Sequence, residues 1–175
     1  MTPDGPAARL RQAVFPADSG AVGEMFGAYV DFLTGRAPAE VVAPILSKYP
    51  PDGRADAVAE FARRHVPPRG ALLLVETGGH VAGCGMMQLL DDDTAELARI
   101  YLARQARGQG LGRRLVAALL DAARAAGARR AVLDTGGPLT EAITLYRSMG
   151  FAETAPYHDA YPELQPHLLF FARDL

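Results

Sequence analysis

Arg104-Gln105-Ala106-Arg107-Gly108-Gln109-Gly110-Leu111-Gly112-Arg113-Arg114 gathers glycine and arginine in a pattern suited to binding an anion. The residues before it, Glu96-Leu97-Ala98-Arg99-Ile100-Tyr101-Leu102, are rich in branched and aromatic side chains and read as a strand. After it, Leu111, Leu115, Ala118, Leu119, Ala122 and Ala126 recur at helical spacing, so a helix opens near Gly110. A tight turn from strand into helix leaves backbone N–H groups without intrahelical acceptors, at the positive end of the helix dipole. Gly108, Gly110 and Gly112 put no side chain between that backbone and a phosphate. The chemistry predicted is a diphosphate cradle. Two common cradles do not fit. A dinucleotide fingerprint counted from Gly108 would need glycine where Arg113 stands. A triphosphate P-loop would need Lys followed by Ser or Thr, where the chain has Arg113 and Arg114.

What fits is Arg107-x-x-Gly110-x-Gly112. This resembles the pyrophosphate-binding motif (Q/R-x-x-G-x-G/A) of the GNAT acetyltransferase superfamily, whose members grip acetyl-CoA. Leu145-Tyr146-Arg147-Ser148-Met149-Gly150-Phe151 resembles the L-Y-x-x-x-G-F that ends that family's fourth helix. The two motifs stand in the family's order, and together they are far more specific than either alone. The resemblance implies an α/β fold of the GNAT acyl-CoA N-acyltransferase type. Its central sheet is mixed and mostly antiparallel, with splayed fourth and fifth strands and flanking helices. It also implies acetyl-CoA as cosubstrate, the pantetheine arm bonding to strand backbone at Ile100, Tyr101 and Leu102. The N–H of Leu102 is then the leading oxyanion donor. The pyrophosphate falls on Arg107, Gly108, Gln109, Gly110, Leu111 and Gly112, with Arg113 near the helix start.

Two side chains follow from what acetyl transfer needs. A thiolate must leave and be protonated. Tyr146 holds the family's tyrosine position, and a phenol near pKa 10 can protonate a thiolate whose acid has a pKa of about 8.5. The alternative for Tyr146 is a core aromatic beside Ile143 and Met149. An alkylammonium, near pKa 10.4, must lose a proton before it attacks. Glu96, at the start of the fourth strand, is the candidate base, as in some relatives; a solvated strand end would hold a glutamate anyway. Family members often carry Asn early in the last helix against the cofactor. Here Leu139 and Glu141 stand there, with Thr135 or Thr140 as substitutes. Tyr157, His158 and Tyr161 on the last connection are candidates to line the acceptor side.

These residues need a scaffold, and the rest of the chain supplies one. Residues 1–8 read as a frayed start. Leu10 to Phe15 reads as a first strand, Asp18 or Ser19 as the cap of a helix ended by Gly35, and Pro38 to Tyr49 and Asp56 to His65 as two further helical pieces. This long segment is expected to overhang and shape the acceptor pocket. Ala71 to Val75 is a continuous apolar run, hence a strand covered on both faces. Thr77-Gly78-Gly79-His80 is a hairpin turn into Val81–Leu90, where Gly83 and Gly85 allow a close neighbour or mark a bulge. Asp91-Asp92-Asp93 reads as a solvated turn and not a metal site. Ala95 to Ala103 is the key strand. Gly127 stops the cradle helix, with Arg129 and Arg130 complementing its negative end. Ala131 to Thr135, Phe151 to Pro156 and Leu168 to Arg173 read as strands, and Leu139 to Met149 as a helix.

Length and composition bound the function. One domain over residues 1–175 is expected, long enough to bury a real core. A net charge of −2 supplies no field for nucleic acid. Cys84 is the only cysteine, so it forms no intramolecular disulfide, and within a strand it reads as a small buried hydrophobe. No membrane span or secretory leader is evident, which predicts a cytoplasmic protein. The reading is an acetyl-CoA-dependent N-acetyltransferase acting on a primary amine of a small molecule, since no acidic groove for basic tails shows. The rivals are a protein acetyltransferase, acting on an N-terminus or lysine, and a non-catalytic acyl-CoA-binding regulator. The sequence leaves room for a homodimer.

Overall fold

The computed structural model describes residues 8–175, so the expected frayed start lies, apart from residue 8, outside the described residues. β1 (Arg9–Gln12) is followed by three helices, α1 (Ser19–Thr34), α2 (Ala39–Lys48) and α3 (Arg54–Arg64). A meander of β2 (Gly70–Thr77), β3 (His80–Leu89) and β4 (Thr94–Leu102) comes next. Then follow α4 (Leu111–Ala125), β5 (Arg130–Gly136), α5 (Thr140–Ser148), β6 (Ala152–Glu153) and β7 (Leu168–Asp174). The strands form one 7-stranded sheet in the order β1-β2-β3-β4-β5-β7-β6. Only β4 and β5 run parallel; every other neighbouring pair is antiparallel. This is the mixed, mostly antiparallel α/β architecture expected. Among the described residues no helix is long and apolar enough to cross a membrane.

Local chemistry explains most of these elements. The β2 run is buried on both faces: Leu72 and Leu74 pack toward α1 and α3, while Ala71 and Val75 pack toward α4. The β2–β3 turn needs two left-handed residues in succession, and Gly78 (φ 58°) and Gly79 (φ 82°) provide them. α4 lays Leu111, Leu115, Val116, Leu119, Leu120 and Ala123 on the sheet. Gly85 lets it come close, because a Cβ there would sit 2.8 Å from Leu119 and 3.3 Å from Leu115. Gly83 is pressed in the same way by β4, with Leu102 2.5 Å from a notional Cβ. Both glycines therefore serve protein packing and leave no room for a ligand.

Four local expectations are revised. β1 is shorter, because the Asp18 carboxylate accepts the Val14 N–H (2.6 Å) and bends the chain away from β2. Asp18 makes no side-chain cap on α1; its carboxylate is also held by the Arg11 guanidinium (2.6 and 2.9 Å). Arg129 does not serve the α4 terminus but pairs with Asp93 (2.6 Å), joining the β3–β4 turn to the start of β5. The strand expected over residues 151–156 shrinks to β6. Phe151 is drawn into the core and its N–H bonds to the Tyr146 carbonyl (3.1 Å), while Pro156 has no N–H to donate. Asp91, by contrast, behaves as a turn residue, accepting the Asp93 and Thr94 N–H groups (2.8 and 2.7 Å).

The close seat of α4 over Gly85 can be tested. Gly85→Ala should destabilise the protein by about 1–3 kcal/mol through overpacking against Leu119 and Leu115. Urea unfolding measures this, and an unchanged midpoint would mean that α4 does not rest on that glycine.

Candidate active site

The site begins where two strands stop pairing. β4 and β5 are in register at Thr94↔Arg130, Ala95↔Ala131 and Glu96↔Val132, and no further. Beyond that point β5 stays with β7 as far as Gly136↔Leu168, and β4 stays with β3 as far as Leu102↔Gly83. The β3–β4 register jumps from Met86↔Ala98 to Cys84↔Tyr101, so Arg99 and Ile100 face Gly85 alone. That is a β-bulge, and Arg99 takes a left-handed φ of 50° within it. The two strands thus part, as the resemblance implied. On the far side of β4 the Ala103 N–H bonds to the Ala82 carbonyl of β3 (2.8 Å). Backbone groups alternate in direction along a regular strand, so the N–H of Leu102, next to Ala103, faces the gap, while Ile100 lies within the bulge at its edge.

A cavity of about 350 Å³ fills the gap. Leu97 to Ile100 of β4 and Asp134 to Gly136 of β5 line it below, α1 and α2 cover one side, and Tyr146 of α5 closes another. The long segment between β1 and β2 therefore overhangs the pocket as expected. Thr135 is buried at the wall, whereas Thr140 is exposed and lies 3.5 Å from Glu141, which is paired with Arg36 (2.9 Å). Of the two threonines, only Thr135 reaches the cavity.

The glycine-rich turn lies just past the end of β4. Gly108 (φ 74°) and Gly110 (φ 72°) both have left-handed backbones, with open space where a Cβ would point. The Arg107 N–H is taken by the Arg104 carbonyl (3.2 Å), so the free run starts at Gly108. Among the described residues, no hydrogen bond occupies the backbone N–H of residues 108–113. The first α4 N–H to find a partner is that of Arg114, on Gly110 (3.1 Å). The named side chains in this turn support it more than they present themselves to a ligand. Arg107 donates Nε to the Leu102 carbonyl (2.9 Å) and lies over the Phe32 ring (4.6 Å). Gln109 bonds back to the Gln105 carbonyl (2.9 Å), and Arg113 holds Ser148 Oγ (2.7 Å), tying α4 to α5. Leu111 is buried, and Gly112 faces Leu102 and Leu145 at ordinary contact distance. Ile100 and Leu102 pack their side chains on the α4 face, while Tyr101 turns to Phe32 of α1 (5.7 Å).

Tyr146 is 6% exposed and lines the cavity, its ring set against Phe151 and Phe171. Its hydroxyl bonds to nothing among the described residues, and burial, followed by the nearby Asp134 carboxylate, pushes the phenol's pKa up. The Tyr146 ring is part of the core, and the residue also lines the pocket. Glu96 sits at the last paired rung, its carboxylate accepting from Tyr157 Oη (3.0 Å) and Gln88 Nε2 (2.8 Å). Beside it, His158 Nε2 meets Asp134 Oδ2 at 2.9 Å. The hydrogen bond to Asp134 raises the His158 pKa. Glu96, Asp134 and His158 each offer an atom within 4.8 Å of the others, a spacing a cation could bridge. Here Asp134 is bonded to His158, while the two Glu96 oxygens are taken by Tyr157 and Gln88. Tyr161, by contrast, is exposed and receives the Lys48 ammonium on its ring (4.4 Å).

Cys84 is buried, donates to the Arg99 carbonyl (3.7 Å), and has its thiol pushed up to about 12 by burial. It is no nucleophile. Two cavity residues were not singled out from the sequence. Asp134 ends the apolar run of β5, and strand carboxyl ends are where α/β sheets place ligands. Arg99 is a charge within an apolar inner strand, which is rarely accidental.

Residues 40–151 match the family model described as the acetyltransferase (GNAT) family. The IAA acetyltransferase of Azospirillum brasilense is 36% identical over 104 residues, 59% of this chain and 67% of that protein. The PaiA N-acetyltransferase of Thermoplasma acidophilum, solved in complex with coenzyme A, superposes with a TM-score of 0.71 at 13% identity, covering 97% of this chain and 99% of that one. A GNAT family acetyltransferase from Elizabethkingia anophelis with acetyl-CoA bound gives a TM-score of 0.56 at 20% identity, covering 69% and 82%. At these identities the two structures speak for the fold alone.

The His158–Asp134 contact makes a pH-dependent prediction. A histidine pKa raised in the folded state stabilises fully below its unfolded value, near 6.5, and loses that contribution as pH rises through the higher folded value. Asp134→Asn should lower the His158 pKa, read from its ring protons by NMR titration. The stability gap between wild type and variant should narrow as pH rises above 6.5. An unmoved His158 titration would contradict the pairing.

Proposed function

The chain belongs to the acetyltransferase (GNAT) family, and from that premise we propose that it transfers the acetyl group of acetyl-CoA to a primary amine of a small molecule. The observation that carries this reading is the gap opened where β4–β5 pairing ends at Glu96↔Val132, with the glycine turn at its outer mouth and Tyr146 at its inner wall. A pyrophosphate suits the free amides of residues 108–113, as anions suit helix N-termini generally. From Glu96 to Leu102, β4 spans about 20 Å at the usual strand rise, room for a long carrier laid in the gap. Membership of the acetyltransferase family supports acetyl-CoA as cosubstrate, and the two solved proteins of the same fold hold coenzyme A and acetyl-CoA. A cavity of about 350 Å³ favours a compact acceptor over a polypeptide segment.

The roles then follow from position. Leu102 N–H lies nearer the glycine turn and bonds to the pantetheine arm or the thioester oxygen. Ile100, two residues back in the bulge and among the cavity-lining residues, supplies a second N–H for an oxyanion. Glu96, with Asp134 and His158 beside it, accepts the proton that the attacking ammonium must lose. Tyr146 donates to the departing sulfur. A phenol at pKa 10 or above yields its proton to a thiolate near 8.5 at a cost of about 2 kcal/mol or more. Tyr146 therefore acts first as a hydrogen-bond donor, completing the transfer as the thiolate separates. The amine attacks directly, since the buried Cys84 offers no thiolate for a covalent intermediate.

Isothermal calorimetry with CoA tests the cradle, and thiol release across a panel of small amines and peptides tests the transfer. Tyr146→Phe should lower kcat by about 10²- to 10⁴-fold while CoA still binds with wild-type affinity. Unchanged turnover would remove Tyr146 from the mechanism. Thiol release with peptides alone would replace the small-molecule reading with protein acetylation, and CoA binding without any release would leave a regulator.

A further inference from the structure

Arg99 is an unusual resident of this cavity. Its Nε is fully buried and has no hydrogen-bond partner, and no carboxylate among the described residues forms an ion pair with its guanidinium. Its charge is instead cupped by rings, Phe61 at 4.9 Å and Tyr49 at 5.8 Å. Aromatic faces hold a cation without using its N–H donors. A buried Nε–H without a partner is costly, and a non-glycine residue at φ 50° adds backbone strain. Both features persist in the one bulge whose residues line the pocket.

The charges of the pocket are also divided. Lys48, a second lining cation, forms no ion pair among the described residues and rests on the rings of Tyr49 and Tyr161. Arg36, the third, is neutralised by Glu141. The one lining carboxylate among the described residues, Asp134, is committed to His158 and lies beside Glu96. One part of the cavity is thus set to take up a proton from an ammonium, and another holds positive charge with donors to spare.

We propose that the amine acceptor also carries a carboxylate, as an amino acid does, and that Arg99 receives that carboxylate while the amine lies toward Asp134 and Glu96. This rests on the transferase reading and narrows its substrate class. The guanidinium fork matches a carboxylate with two parallel N–H···O bonds, and a neutral acceptor would leave those donors unpaired. A site built around a buried charge rejects the analogue lacking its partner far more strongly than an apolar pocket rejects a missing methylene.

The experiment compares amino acids with their amides and with the matching decarboxylated amines, in wild type, Arg99→Gln and Arg99→Lys. Thiol release from acetyl-CoA gives kcat and KM for each. In wild type the carboxylate-bearing member of each matched set that is turned over should lead by roughly a hundredfold in kcat/KM. In Arg99→Gln that ratio should fall to near one, mainly through KM, and Arg99→Lys should keep part of it. The ratio is internal to each protein, so partial misfolding of a variant does not mimic the result. Equal turnover of amides and acids by wild type, or an unchanged ratio in Arg99→Gln, overturns the proposal. Calorimetry on the CoA-loaded protein separates this failure from that of the transferase reading. If CoA binds but nothing is acetylated, turnover is absent, and the proposal then stands or falls on amino acids binding more tightly than their amides.

Discussion

The structure depends on a pairing that is abandoned. β4 and β5 begin as an ordinary parallel pair and separate after the third rung, although both strands continue. Each backbone hydrogen bond is worth only about 1 kcal/mol net, so the bonds forgone are a modest cost when other contacts hold the strands apart. β5 is held by β7 along its whole length, from Arg130↔Asp174 to Gly136↔Leu168. β4 is held by β3 and turned at the Arg99–Ile100 bulge. The exposed amides and carbonyls face a cavity, where a ligand or water can satisfy them, so the gap remains open and polar along one edge.

The rest of the molecule is arranged about the two ends of that gap. At the outer end β4 runs out into the glycine turn, whose left-handed residues bring a row of free amides to the start of α4. α4 can sit there because Gly85 lets its leucines down onto the sheet, while Arg107 and Arg113 fasten the turn to β4 and α5. At the inner end the carboxylates of Glu96 and Asp134 lie on adjacent strands, kept in place by Gln88, Tyr157 and His158. The Tyr157 and His158 rings pack on Phe170 of β7, so the last connection is anchored by the same strand that draws β5 away.

Local signals in the sequence carried most of the fold. Gly78-Gly79, the apolar run of β2 and the leucine spacing of α4 each specify their element through nearby residues alone. Errors arose where a distant partner decides. Asp18 is a reasonable helix cap by type, yet Arg11 and the Val14 amide claim its carboxylate. Arg129 suits a helix C-terminus, yet Asp93 lies nearer. In the site, the glycine turn and Tyr146 could be placed through two short motifs. Glu96 proved to be one member of a cluster reaching across β3, β5 and the last connection. Arg99 was hidden for a different reason: its role comes from a bulge and an empty space, and neither is written in a strand-like run of residues.

Amide hydrogen exchange with and without CoA reads the unpaired N–H groups of the gap and the glycine turn one by one. CoA should slow exchange at Ile100, Leu102 and residues 108–113 together, with little change at amides already in the β3–β4 ladder such as Ala103. CoA binding that leaves those groups exchanging freely, or protects a surface elsewhere, would contradict it.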